Sequence, residues 1–308
     1  MEIGFAVPTS GAWSTPANQV TVARRAEELG YRSLWTLQRL LNPAGSDDRT
    51  YRNVPDPLIT LAYLAGHTTR ARLGVAIVNM PFYAPPVLAK LAATLDHVSG
   101  GRLDLGLGNG WMREEFAATG APMERRGARA EEFIAALRAL WSGGPGDAAR
   151  FHGEFYDIPP VTMDPRPLQS PGPPILLGGA AEAALRRAGR LADGWVSSSR
   201  TDLTTIGRSI GVVREAAERA GRDPAALRFV CRGAVRVRPP GRPGRKPLTG
   251  SPEEVRDDFA ALAAQGVTEL FIDLNFDPEV TGPEAGPRAS LGRALEALDA
   301  FAPAGGAG

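Results

Sequence analysis

The chain of 308 residues is poor in cysteine, lysine and histidine, and it contains no long apolar run. Cys231 is its one cysteine, which excludes an internal disulfide framework and makes a reducing cytoplasm the expected location. No apolar stretch approaches the ~20 residues that a membrane-spanning helix requires, and the first residues lack the pattern of a signal peptide. The formal net charge of +1 gives no reason to expect a nucleic acid or a membrane as partner.

A strand, a helix, a second strand and a glycine-rich turn are predicted in succession over residues 72–116. The nearly unbroken apolar run at residues 75–80 is typical of a strand buried on both faces, and Pro85 and Pro86 suit the first turn of a helix. The helix is long enough to connect two parallel strands. Its apolar residues recur at helical spacing and are expected to form one buried stripe of Val87, Leu88, Leu91, Leu95 and Val98.

Three glycines lie at and just after the end of the second strand: Gly106, Gly108 and Gly110. A dinucleotide-binding fingerprint would require a further glycine three residues after the second of a pair, but those positions hold Trp111 and Arg113. The Rossmann pattern therefore fails in both registers. A ligand site at the end of a barrel strand and a plain tight turn remain as the two interpretations.

Eight strands that alternate with helices are predicted along the chain. Such alternation indicates a parallel sheet, and eight units favour a closed (β/α)8 TIM barrel over an open doubly wound sheet. The Gly- and Pro-rich stretch at residues 143–174 is expected to be an insertion. No change in composition marks a second domain, so we expect one barrel domain over residues 1–302 and a disordered tail over 303–308. The predicted strands cover residues 2–7, 33–37, 75–80, 102–107, 174–177, 192–199, 227–237 and 268–274.

In such a barrel the ligand site lies at the carboxyl ends of the strands. The residues predicted there include no histidine, no cluster with metal-ligand spacing and no Gly-x-Ser-x-Gly turn. We therefore expect no metal site and infer that a cofactor carries the chemistry. Trp13 and Ser14 are candidate substrate contacts, and the flat face of Trp111 suits a ring system, although Trp111 could also pack beneath its own turn.

Other polar residues have structural explanations. Glu115, in the first turn of a helix, can complement the helix dipole or belong to the site, and Asp273 can point into the barrel or its mouth. The histidines lie away from the predicted strand ends and are expected to be structural; they are His67, His97 and His152.

Five segments follow one another along the chain in an order that is specific in combination. They are EELGYRSLW (27–35), LAKLAATLDHVSGGRLDLGLGNGWMREEF (88–116), ARAEEFIAALRALW (128–141), FHGEFY (151–156) and PPILLGGAAEAALRRAGRLADGW (173–195). With this combination the chain resembles the bacterial-luciferase-like superfamily of flavin- and deazaflavin-dependent oxidoreductases over nearly its whole length. Within that superfamily it is most similar to the branch that uses coenzyme F420. The resemblance implies a (β/α)8 barrel, in agreement with the predicted strands.

The resemblance also implies site residues. The third strand should carry a bulge behind the cofactor ring, with a cis peptide bond between Ala76 and Ile77. Backbone N–H groups of two glycine turns should hold the phosphate arm, and a basic rim should face the negatively charged oligoglutamate tail of F420. The implied cofactor-binding residues are Val75, Ala76, Ile77, Asn79, Gly108, Asn109, Gly110, Trp111, Gly178, Gly179, Ala180 and Ser197.

One position departs from the family pattern. Many F420 enzymes of this superfamily have an acid–histidine pair after the second strand, where this chain has Gln38 and Arg39. Gln38 can orient a carbonyl and Arg39 can hold an anionic group, so both are candidate catalytic residues. Neither is a general base at neutral pH, and the source of the catalytic proton is left open.

Three functions follow from the resemblance. The first is an F420-dependent oxidoreductase that transfers hydride between C5 of the deazaflavin and a small organic substrate. The second is a monooxygenase that uses O2 and FMN reduced by a partner flavin reductase. The third is a flavin-binding barrel without turnover. Homodimers are frequent in the superfamily, so a homodimer is expected.

Overall fold

The structure is a computed structural model that describes residues 1–46, 51–241 and 243–303. The strands of the described residues are β1 (Glu2–Ala6), β2 (Ser33–Thr36), β3 (Arg72–Asn79), β4 (Leu103–Gly108), β5 (Ala149–His152), β6 (Asp157–Val161), β7 (Ile175–Gly178), β8 (Gly194–Val196), β9 (Arg228–Ala234), β10 (Arg236–Val237), β11 (Thr249–Gly250) and β12 (Glu269–Asp273). The α-helices are α1 (Pro16–Glu28), α2 (Pro57–Ala65), α3 (Pro85–Ser99), α4 (Arg113–Thr119), α5 (Arg126–Trp141), α6 (Glu182–Leu191), α7 (Ile206–Arg219), α8 (Pro252–Ala264), α9 (Pro278–Thr281) and α10 (Pro287–Ala300).

Eight parallel strands close into a barrel in the order β1-β12-β9-β8-β7-β4-β3-β2. The predicted (β/α)8 TIM barrel is thus confirmed. The predicted insertion at residues 143–174 contains an antiparallel hairpin of β5 and β6. The expected tail lies outside the described residues, except for Pro303.

Local sequence signals account for several helix starts. Ser251 and Glu254 form a capping box at the start of α8, and the side chain of Thr15 accepts a hydrogen bond at the start of α1. Gly100 ends α3 with a positive φ of 69°, which favours glycine. Asp277 caps the short helix α9, and a proline opens both α9 and α10.

The buried stripe predicted for α3 is partly wrong. Leu88 and Leu95 are buried, but Val87, Leu91 and Val98 are 53%, 42% and 56% exposed. The helix instead packs on the barrel through an arc that includes the buried alanines 89, 92 and 93. Small alanine side chains let the helix approach closely, and a pattern based on large apolar residues alone misplaces the centre of the buried face.

The barrel interior holds its own apolar cluster, separate from the larger core that includes the helices. Trp35 stacks on Phe271 with ring centroids 4.8 Å apart. A Cβ on Gly74 would lie 2.5 Å from the Trp35 ring, so glycine provides the space for this indole. These rings fill the barrel below the carboxyl ends of the strands. No helix in the described part of the chain is long and apolar enough to span a membrane.

Candidate functional site

A cleft opens at the carboxyl ends of the barrel strands, where the sequence predicts the ligand site. Its volume is about 360 Å³, which suits a small-molecule ligand. Loops after β2, β4, β7 and β8, three residues of β3 and one residue of β9 form most of its walls. The cleft is lined by Leu37, Gln38, Arg39, Tyr51, Ala76, Ile77, Asn79, Gly108, Asn109, Gly110, Trp111, Gly178, Gly179, Ala184, Val196, Ser197, Ser198, Ser199, Arg200 and Arg232.

Strand β3 is irregular where it borders the cleft. Its register with β4 shifts between Val75 and Val78, and the peptide bond between Ala76 and Ile77 is cis. The position predicted for the bulge and its cis bond is therefore confirmed. Ala76 and Ile77 line the cleft, whereas Val75 is fully buried and does not.

The glycines of β4 and β7 make room for this bulge. A Cβ on Gly106 would lie 1.9 Å from the carbonyl oxygen of Val75, and a Cβ on Gly108 would lie 2.4 Å from Cδ1 of Ile77. On Gly178 a Cβ would come within 3.2 Å of Ile77. Much of the glycine pattern therefore serves the packing of Ile77, a third explanation beside the ligand site and the tight turn.

Both polar atoms of the Gln38 side-chain amide form hydrogen bonds within the protein. Its Oε1 accepts a hydrogen bond of 2.8 Å from the backbone N–H of Asn79, and its Nε2 donates to the hydroxyl of Tyr83 at 3.0 Å. Burial raises the pKa of Tyr83, with Asp56 adding to the effect and the Gln38 hydrogen bond opposing it. Gln38 therefore links the loop after β2 to the end of β3, next to the bulge.

Arg39 belongs to the loop after β2, and its side chain is buried against the loop after β4. Its guanidinium lies 4.3 Å from the ring centroid of Tyr51 and 4.8 Å from that of Trp111, and one nitrogen lies 3.1 Å from Oε2 of Glu115. The other carboxylate oxygen of Glu115 accepts from the backbone N–H of Leu40 at 2.7 Å. Glu115 is 1% exposed, so it fixes Arg39 at the wall of the cleft rather than only complementing a helix end.

Arg232 is a cleft residue that the sequence reasoning missed. Its Nε donates to Asp273 at 2.7 Å, and one terminal nitrogen donates to the carbonyl oxygen of Ala76 at 3.2 Å. Ser197 accepts a hydrogen bond of 2.9 Å from the Arg232 backbone N–H. A charged residue inside the apolar segment FVCRGA was the available signal, because a buried arginine in a strand requires a partner. Asp273, considered for the site from sequence, supplies that partner.

The loop after β4 forms one side of the mouth. Trp111 is 54% exposed and contacts two guanidinium groups, those of Arg39 and, at 5.5 Å, of Arg200. Trp111 therefore forms part of the cleft wall. Asn109 and Gly110 line the cleft beside it, and Gly179 lines the cleft with a positive φ of 133°.

Besides Val75, three residues expected at the site do not line the cleft. Trp13 is fully buried in the main core, and its indole N–H has no hydrogen-bond partner among the described residues. The hydroxyl of Ser14 donates to the carbonyl oxygen of Pro8 at 3.2 Å. Ala180 is exposed just beyond the Gly179 turn. The geometry gives no support to a ligand role for these three.

The cleft carries positive charge and hydrogen-bond donors. Arg39, Arg200 and Arg232 line it, and none of its described lining residues is an acid, a histidine or a cysteine. Burial raises the pKa of the Cys231 thiol, which lies in the core beneath the cleft, to about 12 and keeps it protonated. Across residues 1–46, 51–241 and 243–303, no group of three His, Cys, Asp or Glu side chains could hold a metal ion. The cleft can bind an anionic ligand, but its described side chains offer no carboxylate, imidazole or thiol that could act as a general base or nucleophile.

Comparisons with known proteins agree with this geometry. The sequence model of the luciferase-like monooxygenase family matches residues 1–241. An uncharacterised protein of Mycobacterium tuberculosis strain H37Rv is 32% identical over 291 residues, with 90% of this chain and 91% of that protein covered. The FMNH2-dependent dimethylsulfone monooxygenase of Pseudomonas putida is 32% identical over 213 residues, with 68% and 56% covered. The solved structure of an F420-dependent secondary alcohol dehydrogenase with an F420–acetone adduct aligns with a TM-score of 0.77 at 16% identity, with 97% and 98% covered.

Proposed function

The chain belongs to the luciferase-like monooxygenase family, and we propose that it is an F420-dependent oxidoreductase that acts on a small organic substrate. When bound, the deazaflavin gives or accepts a hydride at C5. The solved F420-dependent dehydrogenase of the same fold makes this chemistry a reasonable first candidate. A location in the cytoplasm, suggested by the single cysteine, is part of the proposal.

The observation that carries the proposal is the composition of the cleft. A site whose described residues are arginines, amides, serines and glycine turns, with no carboxylate, imidazole or thiol among them, fits an anionic cofactor that performs the redox step itself. The turn at Gly178 and Gly179 precedes α6, where backbone N–H groups can receive a phosphate. The bulge at Ala76 and Ile77 supplies a wall for a flat ring.

The side chains of the cleft have distinct proposed tasks. Arg232 holds the carbonyl of Ala76 and thereby fixes the wall formed by the bulge. Arg39 is the proposed group that binds or polarises an oxygen of the substrate, because Glu115 and two aromatic rings hold its guanidinium at the cleft. Gln38 positions the end of β3, since both ends of its amide are occupied by protein groups.

Titration with F420 and with FMN, each oxidised and reduced, tests the proposal. We expect micromolar binding of F420, weaker binding of FMN, and turnover of a substrate from a screen with reduced F420. Arg39→Ala should then lower kcat/KM; an unchanged value would remove Arg39 from the mechanism. Preference for FMN, or binding of neither cofactor, would refute the F420 assignment.

A monooxygenase that uses reduced FMN and O2 is the second candidate. The FMNH2-dependent enzyme of Pseudomonas putida, at 32% identity, is the observation that favours it. Such an enzyme would require a partner flavin reductase. Oxygen consumption that depends on reduced FMN and on an added substrate would establish it, and the same assay with reduced F420 serves as the control.

A homodimer is a further part of the proposal. Exposed apolar side chains on the neighbouring helices α2 and α3 form one face, made of Ile59, Tyr63, Val87, Leu91 and Val98. Such a patch is typical of a protein–protein interface. Analytical ultracentrifugation should show a dimer that Leu91→Glu dissociates, whereas Gly211→Glu, at an exposed position of α7, should not. A wild-type monomer would refute the dimer.

A further inference from the structure

A second, smaller cavity of about 150 Å³ lies beside the cleft. This side pocket is lined by Met80, Pro81, Tyr83, Pro122, Arg126, Arg129, Ala130 and Tyr156. It adjoins the cleft through three contacts: Met80 follows the cleft residue Asn79, Tyr83 accepts a hydrogen bond from Gln38, and Arg126 donates to the carbonyl oxygen of Gly110 at 2.8 Å. The cleft and the side pocket therefore share walls, and a ligand in the cleft lies close to the side pocket.

The polar side chains of the side pocket all present hydrogen-bond donors. Tyr83 already accepts from Gln38, so its own proton remains available. The Tyr156 hydroxyl has no hydrogen bond to any described residue, and burial, as its main cause, raises the pKa of Tyr156, so that it stays protonated at neutral pH. Arg126 and Arg129 add two cations, and no acid is among the described lining residues. Donors without acceptors are the requirement for an anion site.

Arg129 lacks the partner that its neighbours have. Its guanidinium lies 4.4 Å from the ring centroid of Phe155, and its Nε is buried without a hydrogen-bond partner in the described structure. By contrast, Arg125 contacts the same ring at 4.7 Å but is paired with Glu154. Of the acids near Arg129, Glu132 accepts from the backbone N–H groups of residues 154–156, and Glu154 is paired with Arg125. A buried guanidinium nitrogen without an acceptor is costly unless a ligand provides one.

We propose that the side pocket is a carboxylate subsite in which Arg129, Arg126 and the two tyrosine hydroxyls bind one carboxylate of a ligand that occupies the cleft. Two sources share this chemistry: a glutamyl carboxylate of the F420 tail, and a carboxylate of the substrate. The tail is the expected source, and that assignment rests on the proposed function. The subsite itself does not.

The first experiment needs no cofactor. The Tm is measured in glutarate and, as the reference, in sodium chloride at equal ionic strength. Glutarate should raise the Tm of the wild-type protein and of Arg125→Gln, but not that of Arg129→Gln. The Arg129 side chain makes no hydrogen bond within the described structure, so its removal breaks no internal hydrogen bond. Arg125 is the matched control because it stacks on the same ring outside the pocket. An equal glutarate effect in all three proteins, or in none, would overturn the subsite.

The second experiment identifies the source. Fluorescence titration compares F420 with its deazaflavin precursor that carries the phosphate but no glutamates. Arg129→Gln should weaken F420 binding by about tenfold or more, the loss expected for a charge-assisted hydrogen bond, and leave the precursor unchanged. Tyr156→Phe, which keeps the ring against Phe133, should weaken F420 binding by a smaller factor. Equal losses for F420 and the precursor, or no loss for either, would overturn the assignment to the tail.

Discussion

The two ends of the barrel use the same kinds of side chain in different ways. At the amino end, Asp104 is fully buried and receives hydrogen bonds from both Arg72 and Arg228, at distances of 2.6–3.0 Å. Arg228 also donates to Glu269, which accepts from Ser33 and from the indole of Trp35. Each acid there is shared by several donors.

Among the arginines that line the cleft at the carboxyl end, no two share an acid within the described structure. Arg39 has Glu115, Arg232 has Asp273, and Arg200 has no acid partner among the described residues. These guanidinium groups border a cleft, whereas those at the amino end complete a network around shared acids. The difference shows that the amino end stabilises the fold, while the carboxyl end keeps binding capacity for a ligand, as is general for barrels of this type.

Asp104→Asn should produce the largest loss of stability. Two arginines would lose their shared carboxylate, and we expect the free energy of unfolding to fall by about 3 kcal/mol, at the low end for a broken buried pair because both arginines keep some solvent contact. Urea denaturation measures the change. Asp157→Asn, which alters an exposed pair with His152, should change stability by less than about 0.5 kcal/mol. Equal effects of the two variants would contradict a stabilising network.

Gly108→Ala should have the next largest effect, at the other end of the barrel. Its Cβ would collide with Ile77, and overpacking of this kind costs about 1–3 kcal/mol. Ile77→Ala in the same chain should restore part of the stability, because it removes the colliding atoms. Gly211→Ala is the control, since its Cβ would enter open space in α7 and should not destabilise. Additive losses for Gly108→Ala and Ile77→Ala would show that the two residues are not coupled.

The contribution of Asp104 should depend on pH in a defined direction. Burial raises the pKa of Asp104, but hydrogen bonds from Arg72 and the charge of Arg228 outweigh it and hold the pKa below its usual value. The pKa of Asp104 is thus lower in the folded protein than in the unfolded chain. Its ionisation therefore stabilises the fold fully at pH values above the unfolded-state pKa, and this stabilisation is lost as the pH falls to the folded-state pKa. The difference between wild type and Asp104→Asn should therefore shrink below about pH 4. A constant difference from pH 7 to pH 3 would refute this linkage.

The sequence predicted the architecture because barrel strands and helices leave local patterns. Apolar runs, proline at helix starts and glycine at helix ends mark the eight units, and the resemblance placed the cis bond between Ala76 and Ile77. The spacing of large apolar residues could not distinguish the buried side of α3 from its exposed apolar side, since alanines rather than leucines form much of its contact with the barrel.

The cleft was less predictable because it depends on which strand ends face one another. Trp13 lies in the loop after β1, as Arg39 lies in the loop after β2, but Trp13 is buried in the core whereas Arg39 lines the cleft. Arg232 lies among the residues 231–233 that a rule based on strand ends selects, but that rule neither distinguishes it from its neighbours nor assigns it a role. Its role follows from contacts with Asp273 and Ala76, which come from two other strands.

Arg200→Gln should have the smallest effect on stability and therefore isolates the contrast between the two ends. Arg200 is exposed and lacks an acid partner among the described residues, so the free energy of unfolding should change by less than about 0.5 kcal/mol, whereas Arg228→Gln at the amino end should cost about 3 kcal/mol. Arg200→Gln should nevertheless weaken FMN and F420 binding several-fold, because both carry a phosphate, and leave riboflavin binding unchanged. That loss should diminish at high ionic strength. Similar destabilisation by the two variants, or an equal loss of riboflavin binding, would show that the two ends do not divide stability and binding in this way.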